Sequence, residues 1–171
     1  NNDNNVLNAT HIFLPGVGSY SKVMQNVKNT VNIKLLKKKL LENRAMFLGI
    51  CVGMQVLFDY GYENDKSEGL SLIKGSVKKM ETKEVLPHVG WNSINFNKKS
   101  KLLNQIPNKS DFYFTHSYSY YLEDSSSEIS NTNYGLSFPS IINKLNIYGT
   151  QFHPEKSQSN GIKLIKNFLE L

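Results

Sequence analysis

Ala45-Met46-Phe47-Leu48-Gly49-Ile50-Cys51-Val52-Gly53 is the stretch on which the reading of the chain turns. Residues 45–50 form a short apolar run, as a buried strand does, and the two glycines around Cys51 mark an abrupt change of direction. A helix is predicted from Val52 to about Tyr60. A strand that runs straight into a helix belongs to a parallel sheet with helices on its faces.

Upstream, residues 10–14 form another apolar run, read as a buried strand, stopped by Pro15-Gly16-Val17-Gly18. Ser19 or Ser21 then caps a helix to about Asn29. A second helix is predicted near 31–42, with Ile33, Leu36, Leu40 and Leu41 mostly on one face and Lys34, Lys37 and Lys38 on the solvated one. Downstream the pattern changes. Strands are expected at 69–73, 76–80, 93–96, 112–115, 128–133, 140–142 and 147–151, with short turns that suggest antiparallel hairpins. A closing helix from about Ser159 to Leu169 offers Ile162, Leu164, Ile165, Phe168 and Leu169 as its apolar face. The expectation is one α/β domain over 1–171, with a mostly parallel central sheet flanked by helices and antiparallel strands in the second half.

Gly49-Ile50-Cys51-Val52-Gly53 has the Gly-x-nucleophile-x-Gly spacing of a nucleophile elbow, with cysteine as the nucleophile. The turn is sharp enough to require small flanking residues. It lifts Cys51 above the sheet, at the N-terminus of the next helix, where free N–H groups favour a thiolate and a developing oxyanion. Gly149-Thr-Gln-Phe-His-Pro-Glu155 supplies a base and an acid. In extended backbone His153 and Glu155 leave the same face, so the carboxylate can hold one imidazole nitrogen while the other meets the nucleophile. In a parallel sheet the loop Pro15–Gly18 emerges on the same edge. Its glycines allow the N–H of Val17 to serve as an oxyanion donor beside that of Val52.

The bulk numbers fit this reading. The 171 residues are 39 % hydrophobic and 20 % charged, an ordinary globular composition long enough for a sizeable core. Net charge is +6, but the lysines are scattered and not interleaved with aromatics, so neither nucleic acid nor membrane is expected as a partner. A single cysteine excludes an internal disulfide and a cysteine-rich zinc site, and suits a reducing, cytoplasmic setting. No secretory signal is visible. No cofactor and no metal are expected.

With these motifs the sequence resembles the triad-type (class I) glutamine amidotransferases, and among them the glutaminase subunit of imidazole glycerol phosphate synthase, the HisH family. The matching segments are Leu14-Pro-Gly-Val-Gly18, Leu48-Gly-Ile-Cys-Val-Gly-Met-Gln55, Leu86-Pro-His-Val-Gly-Trp-Asn92, Phe112-Tyr-Phe-Thr-His-Ser-Tyr118, Tyr148-Gly-Thr-Gln-Phe-His-Pro-Glu-Lys-Ser157 and the closing Lys163–Leu169. Together they span nearly the whole chain, and the Pro-His-x-Gly-Trp-Asn segment separates this family from other triad glutaminases. The resemblance implies a flavodoxin-like fold and hydrolysis of glutamine through a Cys51 thioester, with ammonia passed to a (β/α)₈ cyclase subunit in a heterodimer of histidine biosynthesis. It implies glutamine contacts at Gly16, Gly18, Gly53, Gln55, Glu63, Ser117 and Tyr118. It implies a partner-facing side that includes His88, Trp91, Asn92, Tyr113 and Lys156. Glu63 is otherwise a solvated loop acid, Trp91 equally a core residue, and Lys156 equally a plain surface charge.

The family opens with a further β-α unit ending in an Asp-Tyr-Gly-x-Gly-Asn-like loop, and nothing like it precedes Asn1. The expectation is that this unit is missing, leaving an exposed sheet edge and part of the core uncovered. Three rival readings stay open. One is a paralogue feeding ammonia to a surface-sugar synthase, another a truncated non-catalytic binding subunit. The third is a cysteine hydrolase of another γ-glutamyl amide.

Overall fold

The computed structural model describes residues 2–96, 98–122 and 125–171. In chain order the elements are α1 (Asn2–Asn8), β1 (His11–Gly16), α2 (Tyr20–Thr30), α3 (Ile33–Leu41), β2 (Met46–Cys51), α4 (Val52–Gln55), β3 (Tyr60–Glu63) and β4 (Asp65–Glu68). They continue with β5 (Gly75–Lys79), β6 (His88–Ser93), β7 (Asp111–His116), β8 (Tyr118–Leu122), β9 (Glu128–Asn133), β10 (Ser137–Lys144), β11 (Ile147–Thr150) and α5 (Gln158–Leu169).

The main sheet runs β1-β2-β11-β10-β9. β2 lies between β1 and β11 and is parallel to both, whereas β10 and β9 join antiparallel. Parallel strands thus occupy the half that carries the elbow. A second sheet has the order β4-β3-β5-β8, and β6 and β7 form a separate antiparallel pair. From Phe47 through Cys51, β2 is buried, as a central strand covered on both faces must be. On one face Phe168 of α5 meets the rings of His11, Phe13 and Tyr148. On the other, Ile12 and Leu14 face Val23, Val27 and Leu36 from α2 and α3 across an apolar groove. Asn32 starts α3 by accepting from the N–H groups of Lys34 and Leu35, the usual remedy for unpaired helix N-termini.

Several expectations are corrected. Residues 10–14 were expected to be buried, but β1 is an edge strand and Phe13 is exposed. The helix after Cys51 ends at Gln55, far short of Tyr60. The carbonyls of residues 56–59, which would accept within a longer helix, accept instead from the N–H groups of residues 69–73. That exchange also explains why 69–73 is a folded-back loop and not a strand. The strand expected at 93–96 lies earlier, at His88–Ser93. β3, β4 and β8 were not anticipated. In α5, Ile162 and Leu169 point outward, while Gly161 and Asn167 are buried with Leu164 and Phe168. Asn167 can be buried because its amide donates to the carbonyls of Leu102 and Asn104.

Candidate active site

The β1–β2 register sets Gly16 beside Cys51, and the β2–β11 register sets Thr150 beside Ile50. The three parallel strands therefore release their next residues on one edge, where open α/β sheets bind ligands. Cys51 ends β2 with φ 53° and ψ −113°, a conformation that costs a non-glycine residue about 1–3 kcal/mol. The turn is possible only because backbone closes on backbone around it. A Cβ on Gly53 would collide with the Leu14 carbonyl, and one on Gly16 with the Gly53 amide.

His153 follows β11 and is buried. Its Nδ1 lies 2.7 Å from Glu155 Oε1. The bare carboxylate accepts, so Nδ1 carries the proton and Nε2 is left as a base. Nε2 is buried and has no hydrogen-bond partner among the described residues. The pairing does not arise from an extended strand, as expected. Pro154–Lys156 form a single 3-10 turn that curls Glu155 back toward the ring. Ser157 Oγ, donating to the His153 carbonyl and accepting from the Tyr113 N–H, locks that turn to β7.

Cys51 and His153 share a cleft of ≈ 340 Å³ with Val17, Gly18, Val52, Gln55, Glu63, Pro87, Thr115, His116, Ser117 and Tyr118. Burial pushes the Cys51 thiol up to about 12, against the N–H of Val52; Glu155 adds to the rise, and Gln151 and Lys156 oppose it. At neutral pH the resting sulfur is therefore a thiol, 3.8 Å from the Thr115 carbonyl. A thiol in that state can act as a nucleophile only with a proton acceptor at hand, and the unpartnered Nε2 of His153 in the same cleft is a group of that kind.

Of the other expected residues, Val17, Val52, Gly18, Gln55, Glu63, Ser117 and Tyr118 line this cleft. Gly16 and Gly53 do not line it; they lie behind it in mutual backbone contact. Glu63 is no loose solvated acid. Its Oε2 accepts from the Tyr20 N–H at 2.7 Å, capping α2 where Ser19 makes no side-chain cap. Trp91 and Lys156 are exposed beside the Tyr113 ring, with Trp91 edge-on to it and Lys156 Nζ 5.9 Å from its centre. Val89 extends this patch.

His88 departs from expectation. It is 2 % exposed and stacked between Phe114 and Tyr134, so it faces no partner. Asn92 is half-buried, its amide donating to the Asn133 carbonyl. Sequence reasoning missed Thr115, His116, Pro87 and Gln151. Gln151 stood inside the motif that gave His153, two residues away, and that spacing was its only signal. Among the described residues no cluster of His, Cys, Asp and Glu could hold a metal ion.

The Glutamine amidotransferase class-I family model matches residues 1–171. The chain is 45 % identical to the imidazole glycerol phosphate synthase subunit HisH of Methanocaldococcus jannaschii, covering all of this chain and 85 % of that one. It is 41 % identical to the HisH subunit of Pelagibacter ubique, covering 98 % and 83 %. Among solved structures, PurLQS from Thermotoga maritima superposes with TM-score 0.70 at 18 % identity, over 94 % of this chain and 79 % of that one. The glutaminase domain of Trypanosoma brucei CTPS gives 0.66 at 15 %, over 98 % and 74 %. At such identities these two speak for the fold alone.

Proposed function

The chain belongs to the class-I glutamine amidotransferases, and within them to the HisH subunits of imidazole glycerol phosphate synthase; from that premise we propose that Cys51, His153 and Glu155 hydrolyse glutamine to glutamate and ammonia. The observation that carries this reading is the unpartnered Nε2 of His153, in one cleft with the Cys51 thiol and backed by Glu155 at Nδ1.

Cys51 Sγ attacks the side-chain carboxamide carbon as its proton passes to His153 Nε2. A C–S bond forms, and the carbonyl oxygen becomes an oxyanion received by the N–H of Val52 and, from the facing loop, that of Val17. His153 returns the proton to the amide nitrogen, the C–N bond breaks, and ammonia leaves. Water then attacks the thioester, giving its proton to His153. Glutamate departs, and Sγ recovers the proton. Glu155 keeps Nδ1–H in place throughout and balances the imidazolium. Gly18, Gln55, Glu63, Ser117 and Tyr118 hold the substrate, with the Glu63 carboxylate suited to its ammonium group. Gly16 and Gly53 act by shaping the wall behind it.

Ammonia passes to a (β/α)₈ cyclase subunit in a cytoplasmic heterodimer of histidine biosynthesis, 1–171 acting as the glutaminase domain. The partner docks on the side of Val89, Trp91, Tyr113 and Lys156, with Asn92 at its margin; an exposed tryptophan flanked by tyrosine and a cation suits a protein contact. No helix among the described residues is long and apolar enough to cross a membrane. The test is glutamate release from glutamine by the chain mixed with its cyclase. Release abolished by Cys51→Ala supports the assignment; release unaffected by that change ends it.

A further inference from the structure

We infer that Gln151 is a positioning residue for the nucleophile: its buried amide aims an N–H donor at the Cys51 sulfur, held in that sense by Gln55. This rests on Cys51 being the nucleophile and adds a group that sets its reactivity.

The orientation follows from one backbone atom. The Tyr118 carbonyl can only accept. Gln55 lies 2.9 Å from it, so Gln55 must present Nε2 there. The other N–H of the same nitrogen meets Gln151 at 3.0 Å. Gln151 must therefore offer Oε1 to Gln55, which turns its own Nε2 to Sγ at 3.7 Å. Gln151 and Gln55 are 0 % and 3 % exposed, so bulk water offers little competition.

A second arm fixes the same carbonyl from the other side. His116 Nδ1 donates to Tyr118 O at 2.9 Å, which leaves His116 Nε2 as an acceptor. His88 Nδ1, 3.2 Å away, must then donate to it. His88 Nε2 becomes an acceptor for the Asn92 amide at 3.3 Å, and that same nitrogen donates to the Asn133 carbonyl. Every group from Asn92 to Cys51 thus has one consistent sense, with both rings neutral. A proton added to either ring would set two donors face to face somewhere along the line. Burial lowers His88 to about 4 and His116 to about 3, which keeps the arm neutral under ordinary conditions.

The chemical effect concerns the sulfur. At rest the thiol donates toward the Thr115 carbonyl and accepts from Gln151. Once the proton has moved to His153, the sulfur anion keeps the N–H donors of Gln151 and Val52. Donors that serve the anion better than the thiol favour ionisation. Gln151 is uncharged and is set among the ionisable groups that also act on Cys51. These are Glu155 and Lys156 beyond β11; His153, His116 on β7 and Glu63 share the cleft with it.

The test is the rate of Cys51 alkylation by iodoacetamide against pH, on the full chain, for the parent, Gln151→Met and Gln151→Glu. Methionine keeps the length and removes the donor; glutamate keeps an acceptor for Gln55 and places an anion at the sulfur. Gln151→Met should lower the rate about tenfold at any pH below the midpoint, equivalent to an upward shift of about one pH unit, and Gln151→Glu should lower it further. Superimposable profiles in folded variants would overturn the inference. If the variants do not fold, the side-chain amide signals of Gln151 in ¹⁵N-labelled parent protein decide. They should move when iodoacetamide caps the Cys51 sulfur, compared at one near-neutral pH, and stationary signals would overturn the inference. Failure of the wider reading looks different: the parent Cys51 would then be indifferent to glutamine-like electrophiles.

Discussion

Gly16 and Cys51 are register partners across the β1–β2 pair, so the residue that opens the proposed oxyanion-side loop and the proposed nucleophile leave the sheet at the same height. Behind them the Gly53 amide and the Leu14 carbonyl close the gap. The site is therefore built first from backbone, and side chains are added to it.

Gly53→Ala should destabilise the chain by about 1–3 kcal/mol, because its Cβ would meet an immobile carbonyl. Gly18→Ala is the control. It has φ 93° but open space around its Cβ position, so only the conformational cost, about 1 kcal/mol, should appear. Urea midpoints of the two variants check the ranking.

Much of this was legible in the sequence because backbone chemistry wrote it there. Glycines around Cys51, a strand before it and the pairing of His153 with Glu155 are local signals, although the pair sits on a 3-10 turn and not on the extended backbone expected, and the parallel register that joins them is a general property of the class. What was not legible depended on distant partners. The apolar run Val56–Phe58 continues a helical pattern, and only its hydrogen bonds to residues 69–73 reveal the break. The resemblance put His88 on the partner-facing side, and only the structure shows Phe114 and Tyr134 stacked on its ring. Gln151 reads as one more polar residue until Gln55 and Cys51 are brought to it from about a hundred residues away.

Glu155→Gln should lower kcat by about 10- to 100-fold and leave KM for glutamine nearly unchanged. The amide can still accept from Nδ1–H but cannot balance the imidazolium. The carboxylate side chain is 46 % exposed, so water compensates in part. Steady-state glutamate release with the cyclase present checks the split.

A glutamine-like electrophile should label Cys51 selectively, and glutamine should protect it. A simple haloacetamide should react slowly at pH 7, since burial holds the thiol near 12. Its rate should climb about tenfold per pH unit on the alkaline side. Mass spectrometry of the labelled chain, with and without glutamine, reads both effects.

Acid should weaken the fold through the two buried rings. Both have folded pKa values, about 4 for His88 and about 3 for His116, below the ordinary 6.5. The unfolded chain then binds more protons between those limits, so stability falls as pH drops from about 6.5 toward 3. Urea midpoints should decline over that window, and the slope should be shallower in His88→Gln, which removes one titrating ring.

Trp91→Ala should weaken association with the cyclase by about 2 kcal/mol, roughly 30-fold in Kd, if the half-exposed indole is a central anchor. Thermal stability of the free chain should change little. Titration calorimetry on the pair and a melting curve on the subunit separate the two quantities.

The Tyr118 carbonyl accepts from both His116 Nδ1 and Gln55 Nε2, which engages both of its lone pairs. It is a joint at which two arms of side chains meet, and it fixes the donor sense of both. Replacing a member leaves its neighbour with an unmatched donor or acceptor unless the new side chain offers the same sense. Positions 55, 88, 92, 116 and 151, scattered along the chain, therefore form one hydrogen-bonded unit. Across related sequences they should be retained or exchanged together, whatever happens to the surface around them.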